Sequence, residues 1–415
     1  MTKTFITYYT LASGSFRYIT SNSDEINTYD KIPDTVTHKF FMFSGYEASD
    51  EGLVKFTADF KQWCHELKHN DIYKIYYTYY YTHQMAVETV FKKICNENED
   101  KRYPKWKIEE VSEIENQYMS LCNNGAIMYC EEITSQSYGY DYNAFYPRIL
   151  ADKETFHIPT RQGIEQFTDI KQALLSNTLK YGYYYVSITS SNPNAKKIFA
   201  FSTNEVYTHY SINFAYKHRK QFDFKFAYWK EEDGFNSYVY EDEDEDLENL
   251  RTGDFFFGSW LNKLTSLRAI YPKNPLLKHL MSSVWGSLSK QRVINRTYKQ
   301  IQEFDLNVGA DVNSDYQIIK RIFKANGGDD YYVLQNNRNP YKYGLARIKS
   351  FLTSRGRNKI ATLALKNIDS VIRIHTDNVT FRLEQNFSKI KNLKPEDKTT
   401  GYLQWSKCNR PPIRL

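Results

Sequence analysis

The amino-terminal part of the chain alternates between short β-forming runs and amphipathic stretches whose apolar positions recur every three to four residues. Clusters of β-branched and aromatic residues predict strands, and the helical spacing of apolar positions predicts helices. The predicted strands are Lys39–Phe43 and Ile72–Thr82, and the predicted helices are Leu53–Leu67, Met85–Ile94 and Ile108–Leu121. This alternation is typical of an α/β layer.

Beyond Pro147 the pattern is mixed and rich in tyrosine up to Lys230, and it then becomes strongly helical. The strands predicted in the mixed region are Lys180–Thr189, Lys197–Ser202 and Ile212–Ala215. The helices predicted beyond it are Phe255–Ile270, Lys278–Lys290 and Tyr343–Asn367. We find no internal repeat.

Two apolar segments each contain one aspartate at the point where a predicted strand ends. In Ser370–Leu383, β-branched residues lead to Asp377 and the apolar alternation resumes beyond it, which predicts a tight hairpin with a carboxylate at its tip. In Ser137–Leu150, tyrosines lead to Asp141, and Pro147 rules out one uninterrupted helix. A single aspartate of this kind is usually a turn residue. The interpretation therefore rests on the two aspartates together and on what lies between them.

Composition indicates a globular protein. The 415 residues are 41% hydrophobic and 25% charged, enough for a core divided among two or three domains. The net charge of +6 is modest, but its distribution is uneven: Glu241–Asp246 is an unbroken acidic run, and five cations lie close together further along the chain, namely Arg347, Lys349, Arg355, Arg357 and Lys359. No CxxC pair joins the five cysteines, and no apolar stretch is long enough to cross a bilayer. We expect a soluble, intracellular protein without a membrane partner.

Two carboxylates brought together from strand ends can hold a pair of divalent cations, because hard Mg²⁺ prefers oxygen ligands. We therefore expect Asp141 and Asp377 to share a site for two Mg²⁺ ions, with Mn²⁺ as a substitute, that supports in-line displacement at phosphorus. A nucleoside triphosphate also requires cations for its phosphates. Lys278 on one predicted helix is a candidate, and Lys263 and Arg268 on the preceding helix are others.

Three segments, in the same order, resemble the motifs of family B DNA polymerases. Asp141–Pro147 (DYNAFYP) resembles motif A, usually D-x-x-S-L-Y-P, and Lys278–Gly286 (KHLMSSVWG) resembles motif B, K-x-x-x-N-S-x-Y-G. Ile374–Asn378 (IHTDN) resembles motif C, Y-x-D-T-D-S. The spacing is most similar to the protein-primed branch found in phages, eukaryotic viruses and linear plasmids. Asn123-Asn124-Gly125 also resembles the Y-x-G-G turn of that branch.

The resemblance implies an α+β fold. It implies a right-hand polymerase with palm and fingers and an antiparallel palm sheet, preceded by an α/β exonuclease-like (RNase H-like) remnant. The implied domains are the remnant at 1–122, the first part of the palm with an insertion at 123–250, the fingers at 251–300, the second part of the palm at 301–388, and a rudimentary thumb or tail at 389–415.

The resemblance also implies residue roles. Asp141 and Asp377 would be the catalytic metal ligands, Lys278 would contact the incoming dNTP, and Tyr146 would stack under the sugar and exclude a 2′-hydroxyl. The further nucleotide contacts implied are Lys263, Arg268 and Ser282, and the implied DNA contacts are Asn124, Gly125, Trp285, Gly286 and Thr376. The implied partners are a DNA template-primer, dNTP, and a terminal protein primer or a processivity partner. We accordingly expect a DNA polymerase that replicates a virus or linear mobile element.

This chain departs from the family pattern at several positions. His375 stands where motif C has its first aspartate, Ser282 where motif B has asparagine, and Trp285 where motif B has tyrosine. No D-x-E occurs in Met1–Phe43, so we expect no proofreading exonuclease. The alternative is a catalytically impaired, polymerase-like protein that binds DNA or a terminal protein.

A second alternative rests on the amino-terminal region. His65-Glu66-Leu67-Lys68-His69 matches H-E-x-x-H, in which two histidines one helical turn apart bind zinc and the glutamate activates water. A third ligand is not evident from the sequence. This interpretation predicts a zinc protease, and the competing structural interpretation is a polar helix face.

Overall fold

The computed structural model of the protein describes residues 5–11, 15–20, 23, 25–29, 38–42, 46–67, 83–96, 108–122, 124–131, 137–241, 249–309, 314–323, 330–387, 390 and 393–395. The chain forms two compact units. The first unit is Met1–Lys105 with Phe256–Leu288, and the second unit is Trp106–Phe255 with Ser289–Leu415. Within these described ranges no helix has the length and apolar character needed to span a membrane. The predicted strand Ile72–Thr82 lies outside them.

The first unit contains a four-stranded sheet. Its strands are β1 (Phe5–Thr10), β2 (Phe16–Thr20), β3 (Ile26–Tyr29) and β4 (His38–Phe41). The strand order is β3-β2-β1-β4, with β1 parallel to β4 and antiparallel to β2. The fourth strand confirms the one predicted at Lys39–Phe43.

Two helices of the first unit confirm the helical periodicity of the amino-terminal region. They are α1 (Asp50–Glu66) and α2 (His83–Asn96). The first begins where it does because the Ser49 hydroxyl accepts a hydrogen bond from the Gly52 N–H and satisfies an otherwise unpaired donor. Its apolar face, which includes Phe56, is buried.

The second unit begins with a helix that is shorter than predicted. The helix α3 (Glu113–Leu121) starts after Ser112, whose hydroxyl accepts from the Glu115 N–H, so Ile108 and the residues that follow it are not helical. The next elements are β5 (Met128–Cys130), β6 (Tyr138–Tyr142) and α4 (Phe145–Leu150).

A tyrosine-rich sheet follows. Its elements and their neighbours are β7 (His157–Pro159), β8 (Ile164–Gln166), α5 (Ile170–Ser176), β9 (Gly182–Ser190), α6 (Ala195–Ile198), β10 (Val206–Thr208), α7 (His209–Lys217), β11 (Phe224–Tyr228), β12 (Ser237–Val239) and β13 (Leu250–Thr252). The order is β10-β9-β12-β8, β11 also pairs with β9, and β13 pairs with β7. The ninth strand confirms the prediction at Lys180–Thr189.

Two predicted strands in this region are wrong. Lys197–Ser202 begins in the short helix α6, and Ile212–Ala215 lies inside α7. The apolar residues of α7 also fit a helical face, because His209, Ile212 and Ala215 are buried at three-residue spacing. Spacing over four residues cannot separate the two periods, and packing selects the helix.

The remaining elements are mostly helical and then return to strands. They are α8 (Gly253–Ile270), α9 (Pro275–Leu288), β14 (Val293–Thr297), α10 (Tyr298–Glu303), β15 (Tyr316–Ile322), β16 (Tyr331–Asn336), α11 (Ile348–Ala364), β17 (Val371–His375), β18 (Asn378–Phe381) and β19 (Leu393–Pro395). The helices α8, α9 and α11 confirm the three predicted ones. The strands β14, β15 and β16 form a separate antiparallel sheet in the order β14-β16-β15.

The central sheet of the second unit has the order β19-β6-β18-β17-β5, and every neighbouring pair is antiparallel. The buried apolar side chains of β17 and β18 are Val371, Ile372, Ile374, Val379 and Phe381. This mixed α/β architecture with several antiparallel sheets agrees with the predicted α+β class. The sheet places two separated parts of the chain side by side.

His209 makes the stability of this unit depend on pH. Burial lowers the pKa of His209 to about 3, and the charges of His157 and Arg355 act in the same direction. The ring is neutral, and its Nδ1 accepts a hydrogen bond from the Gly182 N–H at 3.3 Å. An unfolded histidine has a pKa near 6.5. Below that pH the unfolded chain binds a proton that the folded chain does not, so stability present above about pH 6.5 is lost as the pH falls towards 3.

Replacing His209 with asparagine is expected to remove this pH dependence, because the amide oxygen can still accept the Gly182 N–H but does not titrate. Between about pH 7 and about pH 5, the wild type should lose about 2 kcal/mol more of its free energy of unfolding than His209→Asn. Urea denaturation at the two pH values measures the difference. Equal losses would show that His209 is not the group responsible.

Candidate active site

Of the two aspartates singled out in the sequence, Asp141 lies on β6 and Asp377 lies in the turn that leads into the neighbouring strand β18. Asp141 is the fourth residue of β6 and stands opposite Asn378, the first residue of β18. The Tyr142 N–H donates a hydrogen bond to the Asp377 carbonyl at 3.1 Å. The fold therefore brings Asp141 and Asp377 together at the same end of the strands of the central sheet, although 235 intervening residues separate them in the sequence.

The predicted hairpin with a carboxylate at its tip is confirmed. β17 and β18 are joined by the two residues Thr376 and Asp377, and His375 pairs with Asn378 across the turn. Thr376 has a φ of 60°, a conformation that a β-branched residue rarely adopts. Such strain persists only where the surrounding structure holds it, and it concentrates at functional sites. Here it fixes the backbone beside Asp377.

The segment around Asp141 forms a strand, a turn and a short helix. β6 ends at Tyr142, and Ala144 then adopts a left-handed conformation with φ 53° and ψ 49° before α4 begins. Pro147 is the third residue of α4, where its missing N–H removes no helical hydrogen bond. The prediction that Pro147 prevents one continuous helix is confirmed.

Tyr146 lies close to this pair. Burial raises the pKa of Tyr146 to about 12; the Arg357 guanidinium opposes the shift and the Asp377 carboxylate adds to it. Tyr146 is therefore a neutral phenol at pH 7, within electrostatic range of Asp377. Its role against a nucleotide sugar stays a prediction.

Gly356 of α11 allows this arrangement. A methyl group added at Gly356 would lie 2.9 Å from Cε1 of Tyr146 and 3.2 Å from Cε1 of Phe145. The absence of a side chain lets the helix backbone approach the Tyr146 ring. Gly356 is thus a packing residue for Tyr146, which the sequence motifs did not indicate.

We expect Gly356→Ala to destabilise the protein by about 1 kcal/mol, because overpacking outweighs the gain in helix propensity. Gly286→Ala is the matched control, since a methyl group added at this other helical glycine would meet no atom of the described residues within 4 Å apart from its own helix and chain neighbours. The control should stabilise by about 0.5–1 kcal/mol. Thermal unfolding of both variants measures the shifts, and stabilisation by both would contradict the proposed contact.

Arg357 anchors the segment predicted to resemble a Y-x-G-G turn. Its Nη1 donates to the carbonyls of Asn124 and Gly125, each at 2.7 Å, and its Nη2 donates to the Ser354 hydroxyl at 2.8 Å. Arg357 as a whole residue is 5% exposed. Burial lowers its pKa, although Cys122, Tyr146 and Tyr207 oppose this effect. The carbonyls of Asn124 and Gly125 thus have an internal structural role, and their contact with DNA stays a prediction.

Arg347 is also buried, so the basic segment is less exposed than its composition indicates. Arg347 Nη2 donates to Oε2 of Glu115 at 2.8 Å, and neither side chain is exposed. Arg347 also donates to the carbonyls of Glu109 and Glu110, and the Tyr240 hydroxyl donates to Glu115 at 2.6 Å. This network fixes the start of α11. Sequence reasoning missed it because Glu115 carries no local signal for an arginine so far along the chain.

The donor chemistry at the aspartate pair fits a hard divalent cation, because carboxylate oxygens are the ligands Mg²⁺ prefers. Among the described residues, no group of three or more His, Cys, Asp and Glu side chains is placed to hold a metal ion. Mg²⁺ usually takes only one or two carboxylates and completes its shell with water and phosphate oxygens. The assignment of Asp141 and Asp377 as metal ligands stays a prediction.

The motif B residues form one stripe on α9. Lys278, Ser282 and Gly286 are exposed at four-residue spacing, and Trp285 beside them is half-buried. The opposite face contributes to the core through Leu276, Leu277, Leu280, Met281, Val284, Ser287 and Leu288. The stripe is thus available to a ligand, and its contact with nucleotide stays a prediction.

The two cations on α8 differ in their surroundings. Lys263 is exposed, whereas Arg268 is half-buried and its Nη1 lies 3.9 Å from Sδ of Met281 on α9. Arg268 therefore packs between α8 and α9. Phosphate binding by either residue stays a prediction.

The helix required by the zinc-protease interpretation ends early. α1 stops at Glu66, before His69, which lies outside the described residues. Glu66 Oε2 accepts a hydrogen bond from Nδ2 of Asn274 at 3.0 Å, and His65 is exposed. The proposed histidine pair therefore falls partly outside the described residues and stays a prediction, whereas Glu66 has a structural partner.

Comparison with known proteins places the fold of this chain. No family model and no curated protein matches the sequence. Solved structures do match: the chain has a distantly DNA-polymerase-like fold, so the resemblance drawn from the three motifs is confirmed at the level of the fold.

Structures of Phi29 DNA polymerase are among those that match. The complex with single-stranded DNA has a TM-score of 0.51 and 13% identity over 88% of this chain and 57% of that one. The post-translocation binary complex with primer-template DNA has a TM-score of 0.52 and 12% identity, and the match covers 88% of this chain and 56% of that one. The orthorhombic crystal form has a TM-score of 0.50 and 8% identity, and the match covers 94% of this chain and 82% of that one. This chain spans a little over half the length of the first two structures.

Proposed function

We propose that the protein is a template-directed DNA polymerase that adds deoxynucleotides to a primer 3′-hydroxyl. The observation that supports this most strongly is that Asp141 on β6 and Asp377 in the turn before the neighbouring strand β18 lie at the same end of the sheet in a polymerase-like fold. Catalysis of phosphoryl transfer is mainly positioning and charge stabilisation. Two carboxylates at a strand edge, with a neutral tyrosine beside them, suit that task.

The proposed roles follow from position and charge. Asp141 and Asp377 would hold two Mg²⁺ or Mn²⁺ ions, which when bound neutralise phosphate charge and activate the attacking hydroxyl. Tyr146 would lie against the sugar and disfavour a 2′-hydroxyl. Lys278 would supply positive charge to the triphosphate, because ammonium groups bind phosphates as point charges. Lys263, Arg268 and Ser282 would add nucleotide contacts, and Asn124, Gly125, Trp285, Gly286 and Thr376 would contact DNA.

We extend the proposal to the biological setting that the motif spacing indicates. The enzyme would replicate a virus or a linear mobile element, without proofreading, and a terminal protein would serve as primer or a partner would provide processivity. We propose the absence of proofreading because Met1–Phe43 contains no D-x-E.

A second candidate function is a polymerase-like protein that binds DNA or a terminal protein without synthesis. The observation that favours it is His375, which occupies a strand position at the hairpin where the polymerase motif has an aspartate. A histidine there supplies a nitrogen atom instead of a carboxylate oxygen. Imidazole nitrogen is the poorer ligand for Mg²⁺.

A primer-extension assay with purified protein, a primed DNA template and dNTPs tests both candidates, with Mg²⁺ and Mn²⁺ in parallel. Template-dependent extension supports the polymerase. DNA binding without extension under either metal supports the second candidate, and the absence of both activities contradicts the two together. Parallel reactions with ribonucleotides test Tyr146, since equal use of both sugars would contradict its proposed role.

A further inference from the structure

A cavity of about 480 Å³ in the second unit is lined by four cationic side chains. They come from three helices: Arg148 from α4, Lys217 from α7, and Arg355 and Lys359 from α11. The volume lies within the range of small-molecule sites. None of the roles proposed for the active site uses these residues.

The cavity is separate from the aspartate pair. Its wall includes Tyr142, which follows Asp141 directly in β6. Successive side chains of a strand point to opposite faces of the sheet. Lys359 Nζ lies 5.2 Å from the centre of the Tyr142 ring. A ligand in the cavity would therefore occupy the face of the sheet opposite to the Asp141 side chain.

Among the described residues, one carboxylate lines the cavity against four cations, so its positive charge is only partly offset. None of the four cations forms an ion pair with any described residue; Arg148 donates to the Asn143 carbonyl and Arg355 to the Thr155 hydroxyl. One lining residue, Asp152, is acidic, and its Oδ1 accepts hydrogen bonds from the Thr155 backbone N–H and hydroxyl, which follow it in a turn.

The cations also act on one another. Burial lowers the pKa of Lys359, Arg355 and Arg148 lower it further, and Asp152 opposes them. An anion in the cavity would relieve this repulsion. The structure thus concentrates like charges in a partly buried space, which costs stability unless a ligand of opposite charge compensates.

The rest of the lining indicates what kind of anion fits. Tyr210 and Phe214 provide aromatic surface, and Asn213 and Asn358 provide amide groups beside it. Arginine and lysine side chains are the usual protein ligands of phosphate. Aromatic rings and amides suit the base and sugar of a nucleotide.

We propose that this cavity binds a nucleotide through its phosphates, either a free nucleotide or the phosphorylated end of a nucleic-acid strand. Arg148, Lys217, Arg355 and Lys359 would together hold the phosphates. The site would work without a metal ion, which distinguishes it from the aspartate pair. The inference does not depend on polymerase activity.

Isothermal titration calorimetry with ADP in excess EDTA tests the site, because chelation removes any metal-dependent binding at the aspartates. We expect ADP to bind the wild type, and Lys359→Gln and Lys217→Glu each to weaken binding at least about tenfold through loss of a charge-assisted contact. Lys217 and Lys359 are both exposed, so both variants should fold, and thermal unfolding of each checks this. Lys171→Gln, an exposed cation on α5 outside the cavity, should bind as the wild type does.

Further titrations distinguish the two sources of phosphate, and a variant of the aspartate pair distinguishes the two sites. Tighter binding of a 5′-phosphorylated oligonucleotide than of its 5′-hydroxyl counterpart would assign the site to strand ends, and preference for ADP would assign it to free nucleotide. Asp377→Asn should bind ADP normally. Loss of binding in Asp377→Asn with retention in the cavity variants, or no binding of any probe at about 1 mM, would overturn the proposal.

Discussion

Replacing Asp377 with asparagine is expected to lower the rate of primer extension by about a thousandfold or more. The change keeps the size and shape of the side chain but removes its negative charge, so the site loses half of its proposed protein-derived charge for cations. Stabilisation of transition-state charge by bound metal is worth several kcal/mol, and each 1.36 kcal/mol is a factor of about ten in rate. Asp141→Asn should have an effect of the same order, measured as single-nucleotide incorporation under saturating dNTP.

Asp369→Asn is the matched control for these variants. Asp369 lies just before β17, is exposed, and accepts a hydrogen bond from Nδ2 of Asn194 at 3.0 Å. The control loses the same charge in the same part of the chain and should extend primers at close to the wild-type rate. Circular dichroism and DNA binding should be unchanged in all three variants. Extension by Asp377→Asn at more than a tenth of the wild-type rate would refute the catalytic assignment.

The largest expected effect on stability comes from Glu115→Gln. The variant leaves Arg347 charged and buried with no carboxylate, and it weakens the hydrogen bond from Tyr240. Breaking one partner of a buried ion pair typically costs about 3–5 kcal/mol, because the remaining charge is neither solvated nor compensated. Urea denaturation measures the loss of free energy of unfolding.

An exposed ion pair in the same region provides the comparison. Arg292 and Glu110 are joined at 2.7 Å, and their side chains are 42% and 61% exposed. Glu110→Gln should cost no more than about 1 kcal/mol, since water solvates the unpaired arginine. Similar losses for Glu110→Gln and Glu115→Gln would mean that burial does not govern the strength of the Arg347 pair.

The hairpin at Asp377 could be predicted from sequence because its signals are local. β-Branched residues on both sides, a period of two and an interrupting aspartate occur within Ser370–Leu383. The strand that pairs with this hairpin could not be predicted from local signals. Pairing of Asp141 with Asn378 joins distant segments, and only the order of the motifs suggested it before the structure placed them in register.

Burial of charge was the feature that composition concealed. Arg347 and Arg357 were grouped with the exposed cations of α11, yet both are buried by partners from near the start of the second unit. A count of basic residues cannot distinguish these from Arg355 and Lys359, which line a cavity. The distinction depends on which face of α11 meets the rest of the protein, and the sequence of the helix alone does not define that face.

The connection between β17 and β18 limits how this hairpin can change. With Thr376 and Asp377 as the whole connection, one inserted residue would shift the pairing by one position and turn each side chain of β18 to the other face of the sheet. Buried Val379 and Phe381 would then exchange faces with Asn378 and Thr380. Substitution can adjust the chemistry at this tip, whereas a change in loop length would disturb the core beneath it.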